Sequence, residues 1–244
     1  MARLPGFHSR ETVDAIFRLY EEREGPGRHS RRLGGSTLGK ECARASWYAY
    51  RWAFPVVSFE GRMLRLFDTG HRSEERVLED LRSVGVEIHE KDDRTGKQHE
   101  VRALGGHVVG FLDGVGRGFK EDPSVWALIE AKTHNQKGFK RLREKGLRVA
   151  EPKHYAQCQL YMGLARLERC AYISVSKNTD AIHLEWVEFD PAFFQGLLDR
   201  ARRIITATEP PERISQDPIR PPCGWCDANE LCHEEAVAEV NCRT

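Results

Sequence analysis

The stretch that decides the reading is Gly110-Phe111-Leu112-Asp113-Gly114, followed by Leu128-Ile129-Glu130-Ala131-Lys132. Turn residues (Asp122-Pro123) lie between the two apolar segments, as expected of strands in one sheet. Strand side chains alternate, so Glu130 and Lys132 project from one face and Ile129 and Ala131 from the other. An acid and a lysine on one side of an otherwise apolar strand are costly unless they are paired or bind something. Asp113 ends the preceding strand beside a turn glycine, and an antiparallel return would bring it next to Glu130. Two convergent carboxylates are hard oxygen donors suited to Mg²⁺ or Mn²⁺. Such a metal polarises a phosphoryl oxygen and lowers the pKa of a bound water, which Lys132 would orient or deprotonate. The plainer alternative is a surface ion pair of Glu130 with Lys132, with Asp113 as a turn residue. The ordered set of strand, G-x-x-D-G, E-x-K strand and downstream helix favours the metal site.

Outward from this centre, the periodicity predicts an α/β chain. Upstream, Glu11 to Glu24 reads as an amphipathic helix with Val13, Ile16, Phe17 and Tyr20 on one face. Ser36 and Thr37 are candidate N-caps for a helix carrying Cys42, Trp47, Tyr48 and Trp52. Gly61 to Val84 reads as a long helix with an apolar stripe at Leu64, Phe67, Val77, Leu78 and Leu81. Four strands are predicted at Val86–His89, Gln98–Leu104, His107–Val115 and Val125–Thr133. Downstream come a helix over Pro152–Leu167, a hairpin of Cys170–Ser176 with Ala181–Glu188, and a helix over Pro191–Thr208. This order implies a central sheet of three or four strands, flanked by helices and joined by a returning hairpin. Terminal extensions complete the chain, with Pro210, Pro211, Pro218, Pro221 and Pro222 breaking regular structure before a cysteine cluster.

Taken in this order, the motifs resemble the PD-(D/E)XK nuclease superfamily, in its RecB-like branch, from about Ser36 to His233. Asp113 matches the first motif acid and Glu130-Ala131-Lys132 the E-x-K. Gln157 and Tyr161, spaced i, i+4 on one helix face, match that branch's Q-x-x-x-Y. The resemblance implies that these two support the active site and contact nucleic acid; core packing beside Met162 and Leu164 is the other reading of Tyr161. It also implies an acid or a histidine on the helix before the sheet. Glu74 shares a helical face with Phe67, Gly70, Val77 and Leu81, and an acid interrupting an apolar stripe wants a cation. His71 lies in the same motif and stays open as the alternative. The resemblance further implies a restriction-endonuclease-like core with a mixed sheet, and a metal held by Glu74 or His71, Asp113, Glu130 and the Ala131 carbonyl.

The chain holds seven cysteines, four of them in the last 22 residues. An odd count without a signal-peptide core points to a reducing, cytoplasmic setting in which thiols serve as ligands or small hydrophobes. Cys223, Cys226 and Cys232 form a C-x2-C-x5-C array, and a tetrahedral site needs a fourth ligand. His233 would complete a local Zn²⁺ site; Cys42 would give four thiolates, for an iron–sulfur cluster or for zinc. One cysteine before the core and three after it resemble the CRISPR-associated RecB-like exonucleases and the AddB nuclease domain. That likeness implies a 4Fe-4S cluster clasping the two ends of the domain. Cys158, Cys170 and Cys242 read as plain thiols.

The 244 residues carry 38 Lys and Arg against 37 Asp and Glu, a net charge of +1 that argues against a uniformly basic nucleic-acid binder. Charge is nevertheless patchy. Lys137, Lys140, Arg141, Arg143, Lys145, Arg148 and Lys153 follow the E-x-K strand, where they would neutralise phosphates. A second basic region is Arg28, Arg31, Arg32, Lys40 and Arg44. No apolar run approaches a membrane span, so no membrane partner is expected. The expectation is therefore three parts: an N-terminal helix and basic loop (1–35), a nuclease core (36–208) and a cysteine-rich extension (209–244). The expected function is Mg²⁺- or Mn²⁺-dependent hydrolysis of DNA phosphodiesters, as an exonuclease of the end-processing or recombination type. The partners would be DNA, and further copies of the chain or proteins of recombination or CRISPR systems. Two rivals are a non-catalytic DNA-binding or assembly module that keeps the nuclease fold, and a zinc-dependent regulator centred on the cysteines.

Overall fold

A computed structural model describes residues 10–25, 31–56 and 58–234. The expectations for Arg28 and Cys242 lie outside the described residues. In chain order the first helices are α1 (Glu11–Glu24), α2 (Gly35–Leu38), α3 (Ala43–Tyr50) and α4 (Gly61–Ser83). The strands β1 (Glu87–His89), β2 (Glu100–Ala103), β3 (Val108–Phe111), β4 (Gly114–Arg117) and β5 (Ala127–His134) follow. Three helices, α5 (Gln136–Lys145), α6 (Leu147–Ala150) and α7 (Pro152–Ala165), lead to β6 (Arg169–Ser176), β7 (Ile182–Glu188) and α8 (Pro191–Thr206).

The central sheet is mixed and five-stranded, in the order β1-β4-β5-β6-β7. Only β5 and β6 run parallel, with α5, α6 and α7 as the crossover between them. The hairpin β6–β7 is antiparallel, as the sequence predicted. Helices cover both faces. On one, Val77 and Leu78 of α4 pack with Ile129, Ala131, Ala171 and Ile173. On the other, the residues of α2, α3, α7 and α8 pack with Leu128, Cys170 and Tyr172. The alternation of β5 thus separates two apolar layers. Cys158 and Cys170 are buried thiols of the second layer, as expected.

Two expectations require correction. The single strand predicted over His107–Val115 is broken at Leu112-Asp113. Its first half pairs with β2 as a separate two-stranded sheet and its second half joins the central sheet, so the six predicted strands become seven, five of them in the central sheet. The break frees Asp113 from both ladders, which is what lets its side chain work. The second correction concerns residues 36–52. Ser36 and Thr37 lie inside the short α2, and Cys42 is the N-cap of α3, its sulfur accepting from the Ala45 N–H at 3.4 Å. Trp52 lies beyond the end of α3.

The small sheet lies against α7. Gly110 in β3 faces Tyr161, and a Cβ there would overlap the phenol ring. Gly35 makes the same allowance on the other side, where a Cβ would stand 2.8 Å from the Gln157 Cα. Gly110→Ala is therefore expected to destabilise the protein by about 1–3 kcal/mol in urea denaturation. In a Tyr161→Ala background the same change should be nearly neutral, because the ring it meets is gone.

Candidate active site

The pairing of β4 with β5 ends at Gly114–Ile129. Beyond it β5 continues alone on that edge, and the Asp113 carboxylate takes over from the missing strand, accepting the Ala131 N–H at 3.1 Å. Into this notch Glu130 points from β5 and Glu74 from α4. The C-terminal half of α4 lies on the sheet, while its N-terminal half meets α1 instead. Glu74 sits where the helix passes from one to the other. Phe67, predicted to share the buried stripe, lies in the part beyond the sheet and stays 40% exposed.

The Lys132 ammonium stands at the centre. It is 2.5 Å from Glu130 Oε1, 3.2 Å from Asp113 Oδ2 and 3.4 Å from Glu74 Oε1, and it donates to the Ala131 carbonyl at 2.7 Å. Glu130 is fully buried, and its Oε1 also accepts from Gln157 Nε2 at 2.6 Å. Its Oε2 is buried without a hydrogen-bond partner. Burial raises the Glu130 pKa to about 7, against the pull of Lys132. Burial likewise raises Glu74, again opposed by Lys132. For Lys132 itself burial acts downward, but Glu130, Asp113 and Glu74 outweigh it and hold the ammonium well above its ordinary range. Three acids around one cation leave an excess of negative charge in a half-enclosed notch.

That donor set suits a hard divalent cation: three carboxylates, a backbone carbonyl and an unpartnered buried oxygen. Among the described residues, no three His, Cys, Asp or Glu side chains are drawn together into a ready-formed metal site. His71 lines a cleft with Glu74, and its proximity lowers the Glu74 pKa slightly against burial.

Gln157 reaches the site directly. Tyr161 lies beneath it, 6% exposed, with its hydroxyl bonded to the Gly35 N–H, so its ring is not on a surface open to a large ligand. Sequence reasoning missed Tyr172, which pairs with Glu130 in the β5–β6 register. Its hydroxyl joins His134 Nε2 at 3.0 Å and His154 Nδ1 at 2.7 Å. Burial pushes His154 down to about 4, and burial also lowers His134. A tyrosine in an apolar strand was the available signal. Lys177, which lines the cleft beside Glu74, comes from the β6–β7 turn and carried none.

The cysteines converge as well. Cys42, Cys223, Cys226 and Cys232 line one cavity of about 620 Å³, together with His233. All four are free thiols, and they do not close into a ligand set. Burial, then the nearby Cys42, Cys226 and Cys232, push the Cys223 pKa up. α3 meets the segment after α8 through further bonds: Trp47 Nε1 donates to the Ala207 carbonyl at 3.0 Å, and Arg44 to the Pro211 carbonyl at 3.0 Å. Arg44 is thereby 7% exposed and leaves the second basic region, because its guanidinium serves carbonyls of the extension. The first basic run is fully displayed, with all seven side chains exposed along α5, α6 and the start of α7.

No protein-family model matches the chain, and no curated protein matches it in sequence. Solved structures do share its fold. The crystal structure of SSO0001 superposes with a TM-score of 0.52 at 16% identity, covering 93% of this chain and 98% of that one. An alkaline exonuclease (LHK-Exo) from Laribacter hongkongensis gives 0.52 at 11% identity, over 91% and 99%. The same exonuclease in complex with dAMP gives 0.52 at 12% identity, over 93% and 99%. The chain is thus an α/β protein with the fold of these structures. Among its described residues no helix is long and apolar enough to cross a membrane.

The buried acid gives a stability signature. The folded state holds the Glu130 proton more tightly than an unfolded chain does. Its contribution is therefore full below about pH 4.5 and is lost as pH rises through 7. Glu130→Gln is expected to remove that decline. Without divalent metal, the variant should gain on the wild type by on the order of 2 kcal/mol between pH 5 and 8. Parallel urea titrations across that range check it; an unchanged difference would show that the carboxylate is not strained.

Proposed function

We propose that the chain is a metal-dependent DNA nuclease of the RecB-like PD-(D/E)XK type, acting as an exonuclease on free ends. The observation that carries this reading is the notch itself, where Lys132 gathers Asp113, Glu130, Glu74 and the Ala131 carbonyl. The fold shared with an alkaline exonuclease supports it.

Asp113, Glu130, the Ala131 carbonyl and Glu74, with His71 as the alternative on α4, would hold Mg²⁺ or Mn²⁺. Bound there, the ion would supply Lewis acidity toward a phosphoryl oxygen and acidity to a water. Lys132 would swing from the acids to orient the attacking water or offset the charge developing on the phosphate. Gln157, by donating to Glu130 Oε1, fixes the carboxylate and leaves Oε2 without a hydrogen-bond partner, free to serve as a ligand. Tyr161 holds α7, which carries Gln157, against β3 and α2. The exposed bases of α5–α7 would take the DNA backbone, with affinity falling steeply as salt rises.

For the four cysteines we propose a 4Fe-4S cluster as the first choice and Zn²⁺ as the second, either of which would draw the thiols closer than they now stand. Free thiols from residues 42 and 223–232 facing one cavity make a clasp whose role would be structural. The non-catalytic alternative leaves the raised pKa values and unpartnered oxygen of Glu130 without a purpose.

Glu130→Ala and Lys132→Ala are each expected to lower Mn²⁺-dependent degradation of linear single- and double-stranded DNA by about 10²–10⁴-fold, with circular dichroism unchanged. Gln157→Ala should lose about 10–100-fold and need more Mn²⁺. Full activity in the first two would refute the mechanism, and a closed circle degraded as fast as a linear substrate would refute the exonuclease reading. Anaerobically purified protein is expected to be coloured and to contain iron, with colour and thermal stability both reduced in Cys42→Ala. A colourless protein with one equivalent of zinc would transfer the clasp to zinc.

A further inference from the structure

α1 is amphipathic, yet none of its residues is buried. It leans on the N-terminal half of α4, where Tyr20 donates to Asp68 and the Gly61 N–H reaches Glu21. Between the two helices opens a cleft of about 650 Å³. Glu74, His71, Thr133 and Lys177 line it, so it is continuous with the notch. Tyr20, Phe59 and Phe67 line it as well. Phe59 and Phe67 stand edge to face at 5.1 Å and 88°, yet they remain 46% and 40% exposed. Two large rings held in fixed orientation and left open to water form a stacking surface without a partner among the described residues.

The position of the rings says what would cover them. Phe67 and Glu74 are seven residues apart, two turns along one face of α4, so about 10 Å separates the aromatic pair from the acid. A protein partner or second copy seated on the rings would also cover Glu74 and close the site. A single nucleic-acid strand would instead bring its phosphates to the notch, Lys177 and His71, while its bases reached the rings. The polar groups beside the aromatics suit base edges: Asp68 is an acceptor, held in place by Arg72 at 2.9 Å, and Arg23 lies over the Tyr20 ring at 6.0 Å.

We propose that the α1–α4 cleft is a nucleobase subsite, in which Phe59 and Phe67 stack bases of the strand whose phosphate lies at Glu74. The inference rests on the nuclease reading for what happens at the notch, but the binding it asserts does not need cleavage. Stacking would position the strand without sequence preference, since every base has a flat face.

The test is binding of a fluorescein-labelled single-stranded oligonucleotide in metal-free buffer, beside an oligonucleotide of equal length made of abasic sites. Phe59→Ala and Phe67→Ala are expected to weaken the ordinary strand about 5- to 100-fold and leave the abasic strand unchanged. Both side chains are near half-exposed, so folding should survive, and Phe67→Trp should retain the affinity. Equal losses on both strands, or no loss on either, would overturn the subsite. So would sedimentation showing a dimer of the wild type that Phe67→Ala dissolves. Mn²⁺-dependent degradation separates the two claims. Base-dependent binding without degradation keeps the subsite and removes the nuclease. Degradation without base-dependent binding does the reverse.

Discussion

β5 outruns β4, and the rest of the site follows from that mismatch. Past the Gly114–Ile129 pair the sheet has an open edge in its middle, and an N–H there must find an acceptor. Asp113 provides it with a side chain rather than a carbonyl, which places a carboxylate where a strand would have run. Glu130 and Glu74 enter the same gap from the two layers on either side. Such a concentration of acids is tolerable only around a cation. The chain supplies its own in Lys132, two residues along the same strand. The lysine keeps the notch intact while occupying the position that a harder ion would contest.

The constraint explains the surrounding economy of size. Glu130 is fixed by Gln157, Gln157 lies on α7, and α7 can approach only because Gly35 and Gly110 have no side chains. The β6 strand contributes Tyr172, whose hydroxyl joins His134 of β5 and His154 of α7 behind Glu130. Glu130 is fully buried among these elements.

Much of this was legible in the residues, because the decisive information was local. The E-x-K alternation, the i, i+4 pair on α7 and the β6–β7 hairpin are all short-range patterns, and the structure reproduces their geometry. The split of 107–115 was not legible: Leu112-Asp113 looks like strand, and only its pairing partners separate β3 from β4. Cys42 as an N-cap was hidden because Ser36 and Thr37 gave a stronger capping signal for a helix that proves only four residues long. Periodicity puts Phe67 on the apolar face of its helix but does not show how far the sheet beneath it extends. Arg44 counts as surface charge from sequence, since no spacing rule announces a carbonyl 167 residues away.

That last distance has a bearing on how the chain comes to be folded. Arg51 donates to carbonyls at Ile204 and Ala207, Trp47 to Ala207, and Arg200 back to Lys40 and Glu41. The helix that follows Cys42 is held by residues some 150–170 positions later. Contacts of such separation form late and slowly, because the intervening loop must close first. On a ribosome, where synthesis proceeds from the N-terminus, α3 has no home until α8 and the proline-rich stretch have left the exit tunnel. Docking of α3 thus waits on the segment from α8 to Pro211, and a product truncated before that segment would leave the aromatic α3 exposed to whatever recognises unfinished chains.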